Sequence, residues 1–151
     1  WCPRAAYLAM VLSFTPNALP LKPAGQAGRA QRMRLGWYRS RYPLRAAVLE
    51  PGAGADGLRP SGESISAALS RYADAIAADS WLETLALTVR GRLVLDAAQQ
   101  LYLCDDADQA LPLGAIDTQG WRWLARTRGA TAIYSGEWNG ERFELLHGWR
   151  A

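Results

Sequence analysis

Thr131–Trp149 reads T-A-I-Y-S-G-E-W-N-G-E-R-F-E-L-L-H-G-W. Two alternating runs flank Asn139-Gly140, the dipeptide that best tolerates the positive φ angles of a tight hairpin turn. The spacing predicts a β-hairpin closed by a two-residue type I′ loop. That loop sets a register: Trp138 opposite Glu141, Glu137 opposite Arg142, Gly136 opposite Phe143, Tyr134 opposite Leu145. Glu137 and Arg142 then form an opposite-charge cross-strand pair. Ala132, Tyr134, Trp138, Phe143, Leu145 and Trp149 share one face, which must pack on something.

Period two continues upstream. Arg92–Asp96, Gln100–Cys104 and Ala110–Leu113 read as short strands, with Asp105, Asp106 and Asp108 in a turn rather than in a cation-binding loop. Asp117 or Thr118 can cap a short helix through Thr127, with Trp121, Leu124 and Ala125 inward and Gly129 at its end. Before Gly91 the period is helical. Ile65, Leu69, Tyr72, Ala73 and Ile76 form one stripe on a helix over Ser64–Ala78. Ser80-Trp81-Leu82-Glu83 is a capping box that starts a second helix, with Leu82, Leu85, Ala86 and Val89 as its apolar face and Gly91 as its stop.

The first third is mixed. Ala5–Phe14 looks like the apolar region of a signal peptide but is too short to span a bilayer, and Pro3 and Pro16 bracket it as a buried helix. Asn17–Gly28 is a loop. Ala30–Tyr38 alternates as a half-buried strand, Met33, Leu35 and Trp37 on one face and Arg32 and Arg34 on the other. Pro43 opens a short helix over Leu44–Leu49, and Pro51–Pro60 is a linker. The expected fold is α+β, with N-terminal helices packed on a small antiparallel sheet that ends in the C-terminal β-hairpin. A chain of 151 residues suits one domain: 1–58 a helix/strand arm and linker, 59–151 the helices and sheet.

Composition narrows the chemistry. At 50% hydrophobic and 21% charged, the chain is neither disordered nor a disulfide scaffold. It holds two cysteines, Cys2 and Cys104, and one histidine, His147. A structural zinc site takes about four ligands at short spacings, so no metal site is expected within the chain. Two distant cysteines suit a reduced protein. A Ser–His triad could use only His147 as base, and no serine stands in a G-x-S-x-G elbow. The expectation is a non-enzymatic protein with no catalytic residue and no cofactor. His147, on the hairpin's apolar face, reads as a packing residue. The chain starts at Trp1, which reads as an excised piece or a processed product.

Charge is uneven. Residues 1–50 carry eight basic residues against Glu50, 51–120 four basic against ten acidic, and 121–151 five against three, for a net +3. In the first block, arginines interleave with aromatics. Arg32, Arg34, Tyr38, Arg39, Arg41 and Tyr42 are therefore the candidate residues for a nucleic-acid or partner surface, arginines on phosphates and rings on bases. The competing reading is a solvated strand face. Gly52-Ala-Gly54-Ala-Asp-Gly57 matches G-x-G-x-x-G, and A-V-L-E-P-G-A-G-A looks like the first motif of S-adenosylmethionine-dependent methyltransferases. Such a loop must open a helix, yet Pro60 follows three residues after Gly57. A plain linker is expected.

The second half has a familiar order: Tyr72-Ala73, Asp-Ser-Trp81-Leu82, strands around Leu101-Tyr-Leu, Ala110-Leu111-Pro112-Leu113, Gly120-Trp121-Arg-Trp-Leu-Ala, and Gly136-Glu137-Trp138-Asn-Gly140. With the earlier Tyr42-Pro43-Leu44-Arg45-Ala46, it resembles the C-terminal region of bacterial SWIM zinc-finger family proteins. The resemblance implies a cytoplasmic protein that docks to protein partners, among them a MoxR-type AAA ATPase or a von Willebrand factor A domain protein, with no membrane association. The family's Cys-x-Cys…Cys-x-His finger has no counterpart here. The resemblance places any zinc upstream of Trp1.

Overall fold

The computed structural model describes residues 9–11, 31–39, 44–54, 60–114 and 118–150. The protein is α+β, as its periodicity predicts. The chain divides into two compact units, Trp1–Leu58 and Arg59–Ala151.

The N-terminal unit holds a three-stranded sheet in the order β1 (Ala9–Val11), β3 (Leu44–Glu50), β2 (Arg34–Trp37). The central β3 runs parallel to β1 and antiparallel to β2. Both helices expected here are corrected. The described part of Ala5–Phe14 is strand, and Leu44–Leu49 is strand rather than a helix opened by Pro43. Pairing on both edges of β3 overrides the helical propensity of L-R-A-A-V-L, and it leaves Ala46 fully buried. The Asn17–Gly28 loop lies outside the described residues.

The C-terminal unit runs α1 (Ile65–Ala78), β4 (Leu85–Leu95), β5 (Leu101–Cys104), β6 (Ala110–Pro112), α2 (Thr118–Thr127), β7 (Ala132–Trp138) and β8 (Phe143–Arg150). The second expected helix is instead the first half of β4. Leu82, Leu85, Ala86 and Val89 fit a helical face. Leu85, Leu87, Val89 and Leu93, however, form a longer apolar set at period two, and all four are buried. The capping box is not used. Asp79 accepts from the Trp81 backbone N–H through its side chain at 3.1 Å and from Leu82 N–H through its carbonyl at 3.1 Å, which makes a turn.

β4 serves two ladders. Leu85–Gly91 pairs with β7, and Arg92–Leu95 pairs with β5, both antiparallel. Glu63 bonds β4 at Thr88 and Arg90, along the stretch where β5 does not pair. The sheet order is β6-β5-β4-β7-β8. Leu113, just past β6, meets Phe143 of β8 in parallel, and Gly114 N–H donates to the Phe143 carbonyl at 3.0 Å. The sheet thereby curls toward closure. Long first strand, two further strands, helix, two final strands and a parallel seam are together the connectivity of a five-stranded Greek-key barrel of the OB type.

The two helices cover opposite ends. Gly120 of α2 lies against Leu101 at the start of β5, and Trp123 packs edge-on to Tyr134 at 6.2 Å. At the far end Ile65 of α1 meets Asp105, and Tyr72 packs edge-on to Trp138 at 6.4 Å. Tyr134, Phe143, Leu87, Val89, Leu101, Leu103 and Leu111 fill the interior. Each such side chain contributes roughly 1.5–3 kcal/mol by leaving water.

Helix faces differ from the expected stripes. On α1 the buried residues are Ile65, Ala68 and Ala75, while Ile76 is exposed, because small residues let the helix approach the barrel end closely. On α2 the inward set is Gly120, Trp123 and Thr127, and Trp121 points out. The Thr127 hydroxyl donates to the Trp123 carbonyl at 2.9 Å and accepts from Tyr134 at 3.3 Å, so a polar residue is buried with partners on both sides.

The hairpin exists, with a different register. Trp138 faces Phe143, so the connection is Asn139–Arg142, four residues rather than two. The Asn139 side chain accepts from the N–H of Glu141 at 2.9 Å and of Arg142 at 2.8 Å, which organises the longer turn. Glu137 consequently faces Glu144, and the expected Glu137–Arg142 pair is absent from the ladder. A wider turn sets two buried aromatics opposite each other, which outweighs a solvated ion pair. A second irregularity at Ser135/Gly136 makes Leu146 the extra residue. Tyr134 then faces Gly148, and Trp149 moves to the other face, opposite Ile133. Gly148 suits this place, since a Cβ there would stand 3.0 Å from the Trp123 ring.

Candidate binding surfaces

In the N-terminal unit, Arg32, Arg34, Tyr38 and Arg39 are exposed, and Arg41 and Tyr42 lie outside the described residues. Alternation puts Arg34 and Tyr38 on one face of β2, where Tyr38 N–H bonds the Arg45 carbonyl at 2.9 Å. Arg34 also pairs with Glu50 at 2.8 Å, which answers its charge. Trp37, expected inside, is 50% exposed. β2 is an edge strand and Trp37 stands opposite Ala46, too small to cover an indole.

The glycine motif follows a central strand parallel to β1, as a cofactor loop requires. Its described part, Pro51–Gly54, is not helical, and residues 55–59 lie outside the described residues. Arg32 N–H donates to the Ala53 carbonyl at 3.1 Å, and Gln31 bridges Gly54. Gly52 is accounted for by contact with Arg32, whose carbonyl would collide with any Cβ.

In the C-terminal unit the aspartates are engaged by the protein itself. Asp105 is buried, and its carboxylate accepts from Ala107 and Gln109 N–H at Oδ1 and from Ile65 N–H at Oδ2. Asp106 lies 3.8 Å from Arg90 and Asp108 lies 3.5 Å from Arg92. The outward arginines of β4 are thus answered by aspartates of the β5–β6 turn. Among the described residues, no three His, Cys, Asp or Glu side chains could hold a metal together. Cys104 is a free thiol, and burial raises its pKa despite the nearby Arg92 charge.

At the α2 end, rings and arginines converge. The His147 ring lies 5.5 Å from Trp123 and 4.8 Å from Trp149, both edge-on, and the Arg126 guanidinium sits 5.3 Å above Trp123. Burial, then the Arg126 charge, lowers the His147 pKa, so the imidazole is neutral near pH 7. It packs against rings, but the extra residue at Leu146 puts it on the face opposite Phe143 and Leu145, whereas the sequence placed it beside them. Arg150 donates to the Arg126 carbonyl at 3.1 Å, closing the C-terminus of α2. The sequence signals this convergence only through Arg122 and Arg126 at i, i+4, followed by Arg128.

Two indoles protrude from this unit: Trp121 of α2 at 42% exposure and Trp81 at 92%. Among the described residues no helix is long and apolar enough to cross a membrane. These features define an α+β chain with a barrel-like C-terminal unit. No family model, curated protein or solved structure matches it.

Proposed function

We propose that the chain is a non-enzymatic docking module whose C-terminal unit engages a protein partner. The exposed Trp81 carries this reading. Its backbone N–H donates to the Asp79 carboxylate and the next N–H, of Leu82, donates to the Asp79 carbonyl, yet its ring packs on almost nothing. Burying an indole of about 200 Å² is worth roughly 5 kcal/mol, and tryptophans held rigidly in water are typical interface hot spots. The family resemblance supplies the partner class: a MoxR-type AAA ATPase or a von Willebrand factor A domain protein. A nucleic-acid surface finds better support at α2 than in the Arg29–Arg45 segment, where Arg34 is already answered.

Calorimetry of the purified chain against each of these proteins from its host tests the reading. Trp81→Ser is expected to weaken binding by about 2 kcal/mol, roughly thirtyfold, with the melting temperature unchanged. Equal binding by the variant, or binding to neither protein, overturns the proposal.

A further inference from the structure

We propose that the α2–β8 end of the barrel binds single-stranded nucleic acid, with Arg122, Arg126 and Arg128 on phosphates and Trp121 as a stacking surface. The inference is independent of the Trp81 reading, because Trp81 follows α1, which covers the opposite end.

The distribution of ion pairs leads to it. On α1 and β4 every described arginine is answered: Arg71 by Glu63, Arg90 by Asp106, Arg92 by Asp108. On α2 and just past it, Arg122, Arg126 and Arg128 are all exposed, and none has an acidic partner among the described residues. Asp117 lies outside the described residues, and the described acids nearby in sequence sit elsewhere. Glu137 is near the end of β7, Glu141 in the turn and Glu144 near the start of β8, whereas α2 packs at the start of β7 and the end of β8. Asp96 follows β4, where its carboxylate accepts from Gln100 N–H at 2.8 Å within its own turn.

Helix capping explains only part of the cluster. Cations are favoured at a helix C-terminus by its dipole, and Arg126 in the last turn fits that role. Arg128, immediately past the last residue of α2, is also at the favoured end, whereas Arg122 sits in the middle of α2, where the dipole rewards it little.

 Arg122 is thus an exposed cation whose position the helix dipole does not account for.

The rings supply the second half of the argument. Trp121 is exposed beside Arg122, and Trp123, His147 and Trp149 form an edge-on cluster with Arg126 over the Trp123 ring. Arginines on a backbone with an aromatic surface for an unstacked base are the combination that single strands use. A duplex keeps its bases stacked and has no use for Trp121. An acidic peptide needs the arginines alone.

Fluorescence anisotropy of the full chain with a labelled oligothymidylate of about twelve nucleotides tests the proposal. Binding is expected at low salt. Three phosphate contacts should make log K fall with log salt at a slope of about −2. Arg122→Glu combined with Arg128→Glu should weaken binding at least tenfold, and Trp121→Ala at least fivefold, while Arg90→Glu on the outer face of β4 changes nothing. His147 is the chain's one histidine, so its imidazole proton resonance should move when the oligonucleotide binds. Absence of binding at low salt, an equal loss in Arg90→Glu, or displacement by polyglutamate as readily as by unlabelled oligothymidylate each overturns the proposal.

Discussion

Gly91→Ala is expected to destabilise the C-terminal unit by about 3 kcal/mol, at the upper end of what overpacking costs. Gly91 sits where β4 changes partner from β7 to β5. A Cβ there would stand 2.4 Å from the Cys104 carbonyl oxygen and 2.9 Å from Leu103 Cδ1. The Leu103 methyl can turn aside. The carbonyl belongs to the neighbouring ladder and can retreat only by opening the Arg92–Cys104 pairing. Against a total stability of about 5–15 kcal/mol, the loss is large. Gly129→Ala is the informative comparison. Gly129 has φ +77° with nothing within 4 Å of its Cβ position, so alanine there meets backbone strain alone, about 1–2 kcal/mol. Urea midpoints of the two variants should rank Gly91→Ala as the less stable. The reverse order would mean that the β4 changeover is loosely packed.

Where local pattern was unambiguous, the fold was legible. α1 has a capped helical stripe, β5 and β6 flank an Asp-rich turn, and the last two strands alternate cleanly. β4 was misread because Leu85 and Val89 fit both periods, and because Gly91 serves equally as a helix stop or as a close approach inside a sheet. Only the position of Cys104, a non-local fact, decides between them. β3 was misread for a related reason: L-R-A-A-V-L favours a helix by itself, and its two neighbouring strands are remote in sequence. In the hairpin, Asn139-Gly140 invites a two-residue loop, but the Asn139 carboxamide can hold a four-residue one when Trp138 and Phe143 gain by facing each other. The α2 cluster was hidden by the choice of helix face. Taking Trp121 as buried turned Arg122 aside, whereas Gly120, Trp123 and Thr127, only one of them large and apolar, form the inward stripe.

Asp105→Ala should cost about 4 kcal/mol, because it leaves three backbone N–H groups without their acceptor, each worth about 1–3 kcal/mol when buried. One carboxylate joins two structures. Oδ1 holds Ala107 and Gln109 in the β5–β6 turn at 3.0 Å each, and Oδ2 holds Ile65, the first residue of α1, at 2.9 Å. Asp105→Asn separates the two roles. Its amide oxygen can keep the turn, while its amide nitrogen faces the Ile65 N–H and accepts nothing. The asparagine variant should therefore fold with α1 loosened, and the Ile65 amide should exchange faster with solvent than in the parent. Acid supplies an independent check. Burial raises the Asp105 pKa, but the three backbone donors outweigh it and hold the group below its ordinary 3.8. A carboxyl depressed by folding adds stability that is complete above its unfolded pKa and is lost as pH falls through the folded one. The parent should lose stability as pH drops below about 4, and Asp105→Asn, with nothing to protonate there, should lose less over the same interval. Parallel stability curves for the two proteins between neutral and acidic pH would show that the Asp105 charge does not hold α1 to the barrel.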